Sequence, residues 1–390
     1  MSSFCHLPKE LVEEIMSWVP ADSLMRFKRV SKSWYAVIYG LVNDSSFVAK
    51  HLGNAKKMSS SSLIFTHFCP HVDHNGIECN GDMFSLVTVL NADRDDDRIF
   101  SVSAELNLPP PWQDGHNRLG RWQMANHCDG IICLVQDPRT MLVCNPVLRE
   151  CKLLPSTNYA QNVGYFLPSA MGFGYDSIAK QYKIVAIWTR VTVRAEIHTL
   201  GTDSWREFIL PQDMDIAGFL HKDALYQGGV CYWVVQDFED IVKILCFDIS
   251  NEEFYVARFP CLQDIKFRVV GLGISVWNDY VALSVSSRDY DRDTRPLFID
   301  VFVMVDQSGG HKGAASWRKQ FSIGPIVIVD FVSTLSIIQN NEFLMQCSDK
   351  RLVSCNLRTQ KLREVIVDDV DRLRHWACFY EKSLVSVKSR

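Results

Sequence analysis

At 390 residues the chain exceeds a usual single domain, which points to a small module beside one large domain. Apolar residues make up 47% and charged residues 22%, with a net charge of −4; this excludes a disordered chain and argues against a general nucleic-acid binder, which carries a basic surplus. The thirteen cysteines form no Cys-x-x-Cys pair, and most sit in apolar runs (Cys133, Cys144, Cys231, Cys246, Cys355), as reduced buried thiols of a cytoplasmic or nuclear protein do.

The first elements are short helices. Leu7, Leu11, Ile15 and Trp18 fall four, four and three residues apart, one face of a helix. Pro20 stops it, because proline lacks an N–H and disfavours helical geometry in the residue before it. Asp22 or Ser23 can cap a second helix carrying Leu24, Phe27 and Val30, and Ser31 a third carrying Trp34, Ile38 and Leu41. Asn43-Asp44-Ser45 offers the cap of a fourth, with Phe47, Val48, His51 and Leu52. A module this small rarely stabilises its own core, so its apolar surface asks for a partner. Residues 4–53 are read as this module and residues 54–62, with Lys56-Lys57 and four serines from Ser59, as a linker.

From Leu63 the pattern changes. Runs of β-branched and aromatic residues alternate with turn signals, as in 131–135, 182–188, 230–235, 280–285 and 298–305. Polar edge segments recur about every 50 residues, the spacing of kelch-like propeller blades. They include Cys144-Asn145-Pro146, Phe247-Asp248-Ile249 and Cys355-Asn356-Leu357; Ser204-Trp205-Arg206 is echoed by Ser316-Trp317-Arg318. Units at 63–105, 125–155, 170–211, 219–260, 268–323 and 332–367 predict a six-bladed β-propeller over 63–390. A further strand, Trp376 to Val387, would complete the first blade and close the ring. The fold class is thus a small all-α module followed by an all-β domain.

Cofactor and metal signals are weak. Cys69, His71, His74 and Cys79 lie close together, but their order and spacing match no common zinc finger, so a polar loop is expected. Asp289, Asp291 and Asp293 lack the glycine a calcium loop needs, with Thr294 in its place. Gly172-Phe173-Gly174 and Gly271-Leu272-Gly273 continue into no nucleotide motif and suit close packing at blade starts. No nucleophile elbow or paired zinc-ligand cluster is present, so no metal, cofactor or intrinsic catalysis is expected. No apolar run reaches the roughly 18 residues of a membrane span, and the start shows no targeting pattern. Three acidic runs stand out: Asp95, Asp96 and Asp97; Asp237, Glu239 and Asp240; and Asp289, Asp291 and Asp293. Gathered on one face, they would steer a basic partner; scattered, they are solubilising loops.

Leu7-Pro8, Leu11, Ile15, Val19-Pro20, Ser23-Leu24, Arg26-Phe27, Val30, Lys32-Ser33-Trp34 and Ile38 together resemble an F-box, the module that docks on the adaptor subunit of cullin–RING ubiquitin ligases. The resemblance implies a Skp-type adaptor as partner, and through it cullin and RING subunits, with Leu7, Pro8, Leu11, Ile15, Val19, Pro20, Leu24, Val30 and Trp34 at the interface. Asn145-Pro146 with Leu153-Leu154-Pro155, Gly172 to Asp176 before Tyr182 to Val185, and Ser204-Trp205-Arg206 are similar to the F-box-associated domain of large plant families. Among these the chain most resembles the S-locus F-box proteins, which implies a basic S-ribonuclease as substrate in pollen. An F-box receptor for an unrelated regulatory protein is the alternative. A propeller enzyme or glycan-binding module, with perturbed titratable groups at its channel mouth, is a third reading.

Overall fold

The computed structural model describes residues 7–58, 62–72, 78–89, 98–105, 122–137, 139–159, 167–189, 193–211, 214–220, 224–259, 268–288, 296–306, 316–326, 331–338, 342–347, 352–367 and 373–388. Four helices open the chain: α1 Lys9–Ser17, α2 Ala21–Phe27, α3 Lys32–Val42 and α4 Ser45–Met58. Prolines begin the first two. Pro8 and Pro20 occupy their N-cap positions without a side-chain bond, so neither Asp22 nor Ser23 caps α2 as expected. Ser31 does cap α3, accepting Trp34 N–H at 3.2 Å, and Asp44 caps α4 through Ser46 N–H at 2.8 Å. Helix α4 continues through Gly53 to Met58, so most of the linker expected at 54–62 is helical.

The remaining elements are strands, arranged in five sheets rather than six. Gln123–Cys128, Ile131–Asp137, Thr140–Asn145 and Glu150–Leu153 form the first sheet, and Ala170–Asp176, Gln181–Trp188, Arg194–Thr199 and Arg206–Ile209 the second. In the third, the short strands Gly218–Phe219 and Leu225–Gln227 both pair with Val230–Gln236, followed by Val242–Asp248 and Glu253–Arg258. The fourth holds Arg268–Trp277, Tyr280–Arg288, Leu297–Asp306 and Ser316–Ile326. The units read as first and sixth blades join into one eight-stranded sheet. Their outer strands, Arg98–Glu105 and Leu362–Val367, pair in parallel from Arg98↔Glu364 to Ser101↔Val367. Two free edges are satisfied at once, by partners at opposite ends of the sequence, which local patterning cannot reveal. The closing strand pairs with Ser62–Val72 as expected, but it is Leu373–Phe379 and not Trp376 to Val387.

The recurring polar anchors have a structural cause. Asn145, Asp248 and Asn356 each accept backbone N–H groups two and three residues ahead, at 2.9–3.3 Å, closing the turn between third and fourth strands. Between sheets the core is tight: Trp233, Cys231 and Phe247 pack against Val185, Ile187 and Ala195, with Trp233 0% exposed. Gly172 is needed there, because a Cβ would lie 2.7 Å from the Trp233 ring. One ion cluster bridges the second and third sheets. Lys183 meets Asp176 at 2.7 Å and Glu252 at 2.8 Å, and Arg206 also pairs with Glu252.

Candidate functional site

Helix α1 is apolar on two sides, and only one side is used. Val12 and Met16 point inward and pack with Ala21, Leu24, Ile38, Leu41 and Phe47. Polar bonds from α4 fix that choice. Asn54 Nδ2 donates to Ser17 Oγ at 2.9 Å, His51 Nε2 bonds Val19 O at 2.8 Å, and Lys50 pairs with Glu14. The Lys50 hydrogen bond, helped by Trp18 Nε1, holds the Glu14 carboxyl below its usual range. Burial pushes the His51 imidazole down and so favours its neutral form.

The other side of α1 is left in solvent. Leu11 is 50% exposed and Ile15 53%, with Leu7, Pro8 and Trp18 exposed beside them; Val30, after α2, is 63% exposed. Pro20 is exposed, and Val19 and Trp34 are half-buried, Trp34 against the Phe27 ring at 5.3 Å. Leu24 does not belong to this surface: it is 0% exposed, a core residue rather than a contact. Sequence reasoning missed Tyr35 and Tyr39, exposed on α3 and stacked at 5.8 Å with Lys28 over the Tyr39 ring. Their i, i+4 spacing was the available signal. Burying each large apolar side chain would contribute about 1.5–3 kcal/mol, which makes this exposed face a candidate interaction surface.

The module is seated on the propeller, not merely tethered to it. Residues 380–387 run as a strap between the helices and the first sheet. Leu384 enters the helical core, where Val147 and Leu148 of the first sheet's outer turn also pack. Asn145 Nδ2 donates to Ser383 O at 3.1 Å and Val385 O at 2.8 Å, while Glu150 accepts from Ser386 Oγ at 2.6 Å and Val387 N at 3.2 Å. Lys382 pairs with Asp22 at 3.0 Å, and Lys56 with Asp129 at 2.7 Å. Asp129 also accepts from Tyr182 OH at 3.1 Å, and Tyr380 OH donates to Gly130 O at 2.9 Å. Gly130, at φ 76°, admits the strap, since a Cβ would lie 2.6 Å from Glu381 O.

Turns between first and second strands gather at the end where the helices sit. Tyr182 OH reaches Asp129, Tyr226 OH reaches Tyr175 O at 2.8 Å and Gln227 Nε2 reaches Asp279 O at 3.0 Å. Turns between second and third strands lie at the opposite ends of the strands. One of these, 237–241, is the acidic run whose structure is described. Asp237 is only 2% exposed: it accepts Glu239 N at 2.9 Å and Ile241 N at 2.8 Å and pairs with Lys243 at 2.6 Å. It shapes the turn and is not free to meet a partner, which corrects its reading as a contact residue. Glu239 and Asp240 remain exposed beside Phe238, 78% exposed, and Ile241. Asp95, Asp96, Asp97, Asp289, Asp291 and Asp293 lie outside the described residues, as does His74. Cys69 and His71 face Gly81 and Cys79 across one ladder, and no cluster of three or more potential metal ligands occurs among the described residues. No helix among them is long and apolar enough to cross a membrane.

Residues 88–387 match the family model of the F-box associated beta propeller domain, and residues 4–44 that of the F-box domain. Three Arabidopsis thaliana proteins illustrate the relatives. One named as an F-box protein is 26% identical over 354 residues, 90% of this chain and 85% of its own length. Another F-box protein is 27% identical over 296 residues, 70% of this chain and 69% of its own. One named as an F-box/kelch-repeat protein is 27% identical over 257 residues, 64% of this chain, and the match spans just 58% of that relative.

Proposed function

Given that the chain belongs to the family with an F-box associated beta propeller domain, preceded by an F-box domain, we propose that it is the substrate-recognition subunit of an SCF-type ubiquitin ligase. The observation that carries this reading is the solvent-facing side of α1. Leu7, Pro8, Leu11, Ile15 and Trp18, flanked by Val30, Tyr35 and Tyr39, form the docking face for a Skp-type adaptor, with Val19, Pro20 and Trp34 at its margin. Apolar and aromatic anchors of this kind carry most of an interface's energy. The chain supplies no chemistry of its own in this role. It holds a target near a ubiquitin-loaded conjugating enzyme on the cullin, and the gain is one of effective concentration. The seat made by the strap gives that positioning a defined geometry.

The target lies on the propeller, and its finer identity follows the S-locus resemblance: a basic S-ribonuclease in pollen, drawn by the acidic loops. Glu239 and Asp240 support a basic partner, being exposed on the face turned away from the helices and set beside Phe238. Asp95 to Asp97 and Asp289, Asp291 and Asp293 are the remaining candidate contacts. An F-box receptor for an unrelated regulator would share the adaptor face and differ here.

Replacing Leu11 and Ile15 together by Ala tests the adaptor reading. Adaptor affinity should fall at least tenfold, about 1.4 kcal/mol or more, with the melting temperature unchanged; unaltered co-purification would refute it. A pull-down from pollen extract with the proteasome inhibited tests the target. Recovery of a basic ribonuclease supports the finer reading, whereas a transcript present in leaf and root but absent from pollen rules it out.

A further inference from the structure

Of the seven cysteines whose side-chain surroundings are described, six are buried and Cys151 is exposed. Cys151 stands directly across from Cys144 in the outer strand pair of the first sheet. The ladder there can be phased. Leu154 N donates to Met141 O at 2.8 Å, which makes 141 and 154 a hydrogen-bonded pair. Bonded and non-bonded pairs alternate in an antiparallel ladder, so Leu142–Leu153 is non-bonded, Val143–Lys152 bonded and Cys144–Cys151 non-bonded. Non-bonded pairs bring Cα atoms to about 4.5 Å, within the span of about 4.4–6.8 Å that a disulfide accepts. The two thiols already share a hydrogen bond, which favours ionisation of Cys151 and opposes that of Cys144. One sulfur is therefore accessible, and the other, buried, stands directly beside it.

We propose that Cys144 and Cys151 form a redox-responsive dithiol that closes to a cross-strand disulfide when the protein meets hydrogen peroxide. The Cys151 thiolate attacks the peroxide; an S–O bond forms, the O–O bond breaks, and the departing hydroxide takes a proton to become water. The Cys144 sulfur then displaces hydroxide from the Cys151 sulfenic acid. The S–S bond forms, and the Cys144 proton leaves with that hydroxide as a second water. Two thiols give up two electrons, and one peroxide is reduced. A link at an exposed sheet edge belongs to the labile class of disulfides, so a thiol reductant reopens it. Its position gives it reach. Asn145 and Glu150, the next residues toward the turn, both hold the strap, and Val147 and Leu148 pack into the helical core. The dithiol thus sits at the base of the seat that carries the helices, whatever target the propeller binds.

The test treats the full chain with hydrogen peroxide, alkylates the remaining thiols and maps peptides by mass. The expected product is a peptide pair joining Cys144 to Cys151, lighter by two hydrogens and separated by dithiothreitol. Cys151→Ser should leave Cys144 reduced under the same treatment. Cys144→Ser should leave Cys151 as a sulfenic acid that dimedone traps; if that core variant does not fold, the wild-type map and Cys151→Ser decide between them. The proposal is overturned if Cys151 stays fully alkylatable, or proceeds to sulfinic acid, with no 144–151 link in the native protein.

Discussion

The helical module and the propeller treat their apolar residues in opposite ways. In the propeller, Trp188, Trp233, Phe173 and Phe247 are sealed between sheets, and Gly172 is placed where a Cβ would collide with the Trp233 ring. In the module, Leu24 and Ile38 are sealed but Leu11, Ile15, Val30, Tyr35 and Tyr39 are not. A sealed apolar residue reports on stability. An unsealed one is a candidate contact, because nothing among the described residues covers it.

That contrast can be broken from either side. Lys183→Met, in the ion cluster between the second and third sheets, should cost about 3–5 kcal/mol, since it leaves the buried Asp176 carboxylate without its cation; chemical denaturation measures it. Leu24→Ala should cost about 2–5 kcal/mol in the helical module, read by hydrogen exchange over α1 to α3, with the propeller's protection unchanged. These two losses should stay in their own regions, and a shared loss would mean that the regions unfold as one.

Acid gives a gentler test. Burial opposes the Asp176 charge, but Lys183 Nζ and the N–H groups of Ala179 and Ile178 outweigh it and hold the carboxyl at about 2, below its free value of 3.8. Because the folded value is the lower one, its contribution is complete above about 3.8, and it is lost as pH falls through about 2. Thermal melts between neutral pH and pH 2 should show this loss in the wild type and a flatter profile in Lys183→Met. The smallest effect belongs to the joint. Lys382→Ala removes a half-exposed pair with Asp22 and should cost about 0.2–1 kcal/mol, seen as faster exchange in the strap rather than a lower melting temperature.

Much of the fold could be read from single residues. Ser31 is a cap in the sequence and in the structure, and within Asn43-Asp44-Ser45 the capping residue is Asp44. Asn145, Asp248 and Asn356 recur because each closes the same turn, so the repeat is legible wherever a side chain acts on its own neighbours. What could not be read depends on distant partners. Spacing alone made Leu7, Leu11, Ile15 and Trp18 a helix face, but Asn54 and His51 of α4 decide that Val12 and Met16 turn inward instead. Asp237 looks like its exposed neighbours until Lys243 is placed beside it. The parallel pairing of Arg98–Glu105 with Leu362–Val367, which reduces six expected sheets to five, joins segments that share no local signal.

The strap also imposes an order on synthesis. The four helices leave the ribosome before the propeller, yet Leu384, which completes their core, follows only after the propeller strands have been made. At about 5–20 residues per second, the helices spend on the order of tens of seconds with that gap unfilled. During this interval their outward face is already available while their seat does not exist. An adaptor subunit that binds early would therefore hold a module with no fixed direction, and residues 380–387 would set its aim last.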